Sequence, residues 1–318
     1  MSIPVIDIAP FGLSAAVAAQ WDAAMRARGF ALIAGHGIDE GLQARLYDFA
    51  QGFFARPIEK KLRLSFPDRG RGQGYLPLRS ERVGTGRIDN AAADLCESLT
   101  FANPRFDRAA ADNELDARLY RANIWPDDMP GFRETVEAYF EAGRELALRL
   151  MCLSAAALDL PEDYFAPFFD KMELNLRCVL YPDQAAPPPH GALRYGPHTD
   201  FSGFTILKQD AAPGGLQVKS GEDWIDVPPV PGTLVVNAGD LIQRWTNDRW
   251  ISNVHRVVNP PRDLKSGTRR LSIVLFTGPN SDARIECLPG CGAAKYPPIL
   301  AGRHSEERMR QTYGTVVE

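Results

Sequence analysis

Hydrophobic and polar positions follow two rhythms along the 318 residues, and the change falls near residue 172. At the start, Ile3-Pro4-Val5-Ile6-Asp7-Ile8 reads as a strand. Ser14 is suited to cap a helix through the Ala-rich stretch that follows, and Gly29 to end it. Phe30-Ala31-Leu32-Ile33 predicts a second strand, closed by Gly35-His36-Gly37. Asp39 caps another helix, with Leu42, Leu46 and Phe49 at helical spacing, and Pro57 opens a short one through Leu64. Residues 95–101 read as a strand. The longest helical period runs from 131 to 159 and sets Phe132, Val136, Phe140, Leu146 and Leu150 on one apolar face.

Beyond residue 172 the period shortens to that of strands. Apolar runs at 174–181, 204–209, 216–219, 224–227, 233–237, 254–258 and 271–276 are separated by Gly and Pro. Many short strands at such spacing predict a sandwich or barrel, here a jelly roll. Helices come first and strands later, an order that does not suggest alternating βαβ units. The expected fold is α+β: a double-stranded β-helix (jelly-roll) core, flanking helices and an N-terminal α/β segment.

Composition narrows the function classes. With 45% apolar and 24% charged residues the chain is an ordinary globular one. A chain of this length buries roughly three quarters of its unfolded surface, so it needs no metal merely to hold a core. The net charge is −4, and no Lys/Arg run marks a nucleic-acid tail. No stretch of 18 apolar residues predicts a membrane span, and residues 1–4 lack the pattern of a signal peptide. Five dispersed cysteines include one close pair, Cys287 and Cys291, without the partners of a metal site. The expectation is a cytoplasmic protein with neither nucleic acid nor membrane as partner.

Five histidines carry the candidate chemistry. His198-Thr199-Asp200 places an imidazole and a carboxylate at i and i+2, which share a face on a strand. His255 sits in another strand-like run. Two histidines and one carboxylate make the facial triad of non-haem Fe(II) oxygenases, with coordination positions left open. His304-x-Glu306 has a helix-like context, His36 lies in a Gly-His-Gly turn suited to structural hydrogen bonding, and His190 follows three prolines and reads as exposed. Arg270-Leu271-Ser272 puts a guanidinium and a hydroxyl on one face of a strand, a fit for a carboxylate. Gly70-Arg71-Gly72-Gln73-Gly74-Tyr75 lacks the Lys-Ser/Thr ending of a phosphate loop, so 68–90 reads as a substrate-facing loop or lid. Phe201 and Phe276 are candidate pocket walls, with the core as their other reading. Arg79, Arg82 and Arg194 are candidates for an anionic substrate, with a solvated side chain as theirs.

These residues bring out a resemblance. The chain resembles the isopenicillin N synthase-like Fe(II)/2-oxoglutarate-dependent oxygenases along nearly its whole length. The segment from Gly29-Phe30 to Gly35-His36-Gly37-Ile38 resembles that family's "GF…NHGI", and residues 53–61 resemble its "FFxLPxEEK". Gly72-Gln73-Gly74-Tyr75 resembles an "RGY" loop. Asp94-Leu95-Cys96-Glu97-Ser98 resembles "DxKES" with Cys96 in place of Lys, and residues 214–218 and 237–240 resemble "GLQV" and "NxGD". The resemblance implies that His198, Asp200 and His255 bind Fe(II), and that Arg270 and Ser272, assisted by Tyr181, hold the distal carboxylate of 2-oxoglutarate. Val179 stands where the family commonly has Asn, and the stretch between His255 and Arg270 is longer than usual. No catalytic residue is expected beyond the metal ligands, and O2 is the second co-substrate. Phe201, Phe276, Tyr75 and Arg194 are the expected substrate contacts. The implied organisation is an N-terminal α/β region (1–105), a helical connection (106–171), a jelly-roll Fe(II)/2-oxoglutarate core (172–282) and a C-terminal tail near the active site (283–318). The implied reaction oxidises a C–H bond by hydroxylation, desaturation or cyclisation, with release of succinate and CO2. Two other readings stay open: an Fe(II) oxidase that dispenses with 2-oxoglutarate, and a non-catalytic metal-binding jelly roll.

Overall fold

The structure is a computed structural model that describes residues 2–9, 14–67, 72–83, 93–108, 111–184, 188, 191–264 and 266–313. Its opening segment contains β1 (Val5–Asp7), α1 (Ala15–Ala27), β2 (Phe30–Ala34), α2 (Glu40–Phe54) and α3 (Ile58–Leu62). Ser14 caps α1 by accepting from the Val17 amide, and Asp39 caps α2 by accepting from that of Leu42. Gly29 turns the chain from α1 into β2 at φ +66°, and a Cβ there would lie 1.8 Å from the Ile251 carbonyl oxygen. Only glycine meets both demands. β1 and β2 pair in parallel with α1 between them. One βαβ unit therefore forms, in keeping with the expected N-terminal α/β segment, because two short apolar strands reach the same sheet edge.

The next elements are β3 (Gly74–Leu76), β4 (Glu97–Ala102), α4 (Arg105–Arg108), α5 (Glu114–Leu119) and α6 (Phe132–Ala157). All five residues expected on the apolar face of α6 are buried. That face packs with α1 and α2 into one core against the large sheet.

The second half supplies β5 (Glu173–Tyr181), β6 (Tyr195–His198), β7 (Phe204–Lys208), β8 (Gly215–Ser220), β9 (Asp223–Asp226) and β10 (Leu234–Ala238). It continues with α7 (Asp240–Trp245), β11 (His255–Val258), β12 (Arg270–Gly278), β13 (Arg284–Ile285), β14 (Ile299–Leu300) and α8 (Ala301–Tyr313). The large sheet has the order β1-β2-β10-β7-β12-β5-β4-β3 and the small one β6-β11-β8-β9. Strands of the opening segment thus extend the jelly-roll sheet at both edges. No helix among the described residues is long and apolar enough to cross a membrane.

Alternation along β5 and β12 sorts their residues. Leu174, Leu176, Cys178 and Leu180, with Leu271, Ile273 and Leu275, enter the core beneath the helices. The intervening residues face a cavity of about 470 Å³ between the two sheets.

Candidate active site

His198 ends β6 and His255 begins β11, directly opposite each other in an antiparallel pair. Their ring centroids are 4.1 Å apart. His198 Nδ1 lies 2.9 Å from the Gly196 carbonyl oxygen, and His255 Nδ1 3.1 Å from that of Asn253. A carbonyl only accepts, so each Nδ1 carries a proton and each Nε2 is the nitrogen left facing Asp200. Each Nε2 lies 3.7 Å from Asp200 Oδ1. Asp200 Oδ2 accepts from Thr205 Oγ1 at 2.6 Å and Asn237 Nδ2 at 2.7 Å. The three remaining donor atoms converge within 4.8 Å of one another, the single such group among the described residues. They suit one cation, and every other polar atom of the three side chains is already satisfied.

Burial, with His255 alongside, pushes the His198 imidazole down to about 3, so the ring is neutral at ordinary pH. Burial pushes the Asp200 carboxyl up, but the two histidines and the bonds from Asn237 and Thr205 outweigh it and hold the carboxyl below its usual range. An ionised carboxylate and a neutral imidazole are the forms in which Asp200 and His198 can serve as metal ligands.

Asp200 itself lies just past the end of β6. Strand parity therefore does not aim it, contrary to the i, i+2 expectation. The bonds from Thr205 and Asn237 do, together with the Asp240 amide, which donates to the Asp200 carbonyl at 2.8 Å. Phe30 of β2 meets the His255 ring edge-on at 5.4 Å, so the opening segment braces a candidate ligand.

The cavity borders the three ligands and is walled by Ser272, Tyr181, Phe201 and Phe276 among others. Arg270 faces Tyr181 across β12 and β5 and is buried behind that wall. Its Nη1 donates to the carbonyls of Asp210 (2.6 Å) and Ala212 (3.3 Å), and its Nη2 to Gln209 Oε1 (3.0 Å). Its Nε is buried without a hydrogen-bond partner. Nε–H and one Nη2 hydrogen remain for an incoming acceptor. A buried guanidinium with an orphaned donor, beside a hydroxyl in the cavity wall, fits the carboxylate of a co-substrate.

Two expected substrate contacts lie elsewhere. Tyr75 is buried in the core, donates to Glu97 Oε2 at 2.5 Å and meets Phe53 edge-on. Arg194 is fully buried and donates from Nη1 to the Pro213 carbonyl at 2.6 Å and from Nη2 to the Thr268 carbonyl, tying two loops together. Neither lines the cavity. Arg79 and Arg82 are exposed and also lie away from it. Of the expected lid, Gly72, Gln73 and Val83 border the cavity, while 68–71 and 84–90 lie outside the described residues, as does His190. His36 Nδ1 accepts from the Ile38 amide, the structural role expected. His304 Nε2 donates to the Phe201 carbonyl at 3.0 Å and joins no ligand group among the described residues.

The chain's pattern did not single out three charged wall residues. Arg177 pairs with Glu81, and Arg308 of α8 pairs with Asp240 at 2.8 Å and covers the Phe201 ring. Glu173 accepts a hydrogen bond from the Tyr120 hydroxyl. The strand period puts Glu173 and Arg177 on the same face as Tyr181; it was the only sign available.

Residues 172–279 match the 2OG-Fe(II) oxygenase superfamily, and residues 3–128 match the family described as non-haem dioxygenase in morphine synthesis N-terminal. The chain is 37% identical over 330 residues to the 2-oxoglutarate-Fe(II) type oxidoreductase hxnY of Emericella nidulans, covering 98% of this chain and 90% of that one. It is 34% identical over 309 residues to the proline hydroxylase buaE of Petromyces alliaceus, covering 92% of each. The solved structure of a full-length Neurospora crassa protein in complex with alpha-KG and thymine superposes with a TM-score of 0.83 at 31% identity, over 96% of both chains. Neither the oxidase that dispenses with 2-oxoglutarate nor the non-catalytic metal protein finds support among these relatives. A His-Asp-His cluster on the wall of a jelly-roll cavity, in a chain alike over its whole length to such proteins, identifies it as a member of the isopenicillin N synthase-like superfamily, an Fe(II)- and 2-oxoglutarate-dependent dioxygenase that oxidises a small-molecule substrate.

Proposed function

We propose that His198 Nε2, His255 Nε2 and Asp200 Oδ1 hold the Fe(II), and that Arg270, Ser272 and Tyr181 hold the distal carboxylate of 2-oxoglutarate. The convergence of three otherwise satisfied side chains on one point carries the first assignment. The orphaned Nε of Arg270 and the placement of Ser272 and Tyr181 in the wall support the second. When bound, iron, 2-oxoglutarate and O2 supply the oxidising chemistry, with succinate and CO2 as co-products. The chain's own residues do the rest. The Nδ1–H bonds lock both rings, Asn237 and Thr205 fix the carboxylate, and the wall at Phe201, Phe276, Leu207 and Leu216 excludes water from the reacting carbon.

The four-part organisation set out from the sequence (1–105, 106–171, 172–282, 283–318) belongs to this reading. Free small molecules, rather than nucleic acids, are the proposed substrates, since the cavity lies between two sheets and holds only about 470 Å³. Five unpaired cysteines support a reducing, cytoplasmic location.

The test is anaerobic titration of the purified protein with Fe(II) and then 2-oxoglutarate. The expected result is a weak visible charge-transfer band that disappears in His198→Ala and, at low co-substrate, in Arg270→Ala. Iron binding and turnover unchanged in His198→Ala would refute the ligand assignment.

A further inference from the structure

Outside the three ligands, the cavity wall carries charged groups of both signs. Arg177 and Arg308 each have an acidic partner, Glu81 and Asp240. Glu173 has no basic partner in hydrogen-bond reach among the described residues. Its Oε2 accepts from the Tyr120 hydroxyl, and its Oε1 is buried with no hydrogen-bond partner. The residue is 5% exposed and lines the cavity. Leaving a buried carboxylate oxygen unpaired is costly, so the position calls for a partner that the chain does not supply.

The neighbourhood sets the sign of that partner. Asp116 and Asp282 are the nearby acids and Arg105 the nearby base, but Arg105 is spent on Asp112 and Asp116. The surroundings of Glu173 are thus acidic overall. Burial first, with Asp116 adding to it, pushes the Glu173 carboxyl up to about 8. A cation bound there would draw it back to the ionised form.

Register sets the distance. Thr205, which holds Asp200, lies opposite Phe276 of β12, which lies opposite Asn175 of β5. Asn175 is therefore two strand spacings from Thr205, roughly 10 Å, and Glu173 follows it on the same face. Glu173 also lies opposite Gly278, where an added Cβ would sit 3.6 Å from Glu173 Cβ and 2.3 Å from Ser202 Oγ. Glu173 is thus a neighbour of the loop that carries Asp200, across a glycine. On the same strand Tyr181 is eight residues away, about 26 Å, which separates Glu173 from the proposed co-substrate end.

We infer that Glu173 is the substrate anchor and that the substrate is an organic cation, a protonated amine or guanidinium, whose charged group meets Glu173 Oε1 while a carbon several bonds away faces the His-Asp-His cluster. This rests on the reading of the cavity as the oxygenase's substrate pocket. The test uses protein loaded anaerobically with Fe(II) and 2-oxoglutarate, and calorimetric titration with matched pairs. The pairs are butylguanidine with butylurea, cadaverine with 1,5-pentanediol, and piperidine with tetrahydropyran. The expected result is that the cation of at least one pair binds tenfold or more tightly than its neutral partner. Glu173→Gln abolishes that preference, and Glu173→Asp, which keeps the charge, retains part of it. The co-substrate band, recorded in every variant, reports that the iron site is assembled. Neutral partners binding as well as cations in every pair, no cation bound at all, or a preference that survives in Glu173→Gln would overturn the inference. An absent band in the wild type would instead overturn the site reading beneath it.

Discussion

Each candidate ligand imidazole spends its Nδ1–H on the carbonyl two residues before it, Gly196 for His198 and Asn253 for His255. The orientation of the metal-facing nitrogen therefore depends on how that short backbone turn is held. Asp94 holds one of them: it accepts from the amides of Gly196 at 2.7 Å and Val83 at 2.9 Å. Asp94→Ala, measured by Fe(II) titration, is expected to weaken iron binding about tenfold to hundredfold, as loss of an outer-shell partner does. At the co-substrate end, Arg270→Lys keeps the charge but removes the planar fork. Its expected effect is a rise of roughly tenfold or more in KM for 2-oxoglutarate, the scale of a lost charge-assisted hydrogen bond. An unchanged KM would remove Arg270 from the assignment.

At the scale of elements, the turn between α1 and β2 links the opening segment to the site. Gly29 packs under the Ile251 carbonyl, four residues before His255, and Phe30 follows it against the His255 ring. Gly29→Ala combines a positive φ with a collision against backbone that cannot rotate away. It is expected to destabilise by about 1–3 kcal/mol or more in chemical denaturation. Ser14→Ala at the other end of α1 removes one capping bond and is expected to cost only about 1 kcal/mol. Equal losses at the two ends would contradict the role given to the turn. Helix α8 matters differently, because it brings Ser305, Arg308 and Met309 to the cavity. Ending the chain after Leu300 leaves β6 and β11 in place. The expected outcome is retained iron binding with 2-oxoglutarate turnover no longer stimulated by substrate, read as succinate release with and without it.

For the whole molecule, two buried carboxyls make stability depend on pH in an unusual direction. Burial raises Glu173 from an ordinary 4.5 to about 8, and Asp94 to about 7. Between the ordinary and the raised values the folded chain holds protons that the unfolded chain has released, so stability falls as pH rises through that window. Buried histidines held neutral in the fold act the opposite way below about pH 6.5, so the wild-type Tm is expected to decline between about pH 7 and pH 8, and the decline to be shallower in Glu173→Gln. Parallel curves would show that Glu173 does not titrate in the fold.

The rare residue types and the local periods were legible in the chain alone. Histidine is scarce here, so His198 and His255 could be weighed singly; the β-rich second half, the caps at Ser14 and Asp39 and the core face of α6 follow from spacing and side-chain chemistry that act within a few residues. Long-range placement was not legible. Tyr75 sits in a motif-like loop yet enters the core, and Arg194 looks like a surface charge yet is fully buried between loops. Arg308 reads as one more cation on a polar helix until α8 folds over Phe201. Arg177 and Glu173 share a strand face with Tyr181, but only the opposing sheet shows that this face borders a cavity rather than solvent. Sequence determined which elements form and which side chains could bind a metal, because those choices rest on local geometry and donor chemistry. The tertiary structure decided which charges are paired, which are buried and which face the ligands, because pairing and burial depend on residues distant in the chain.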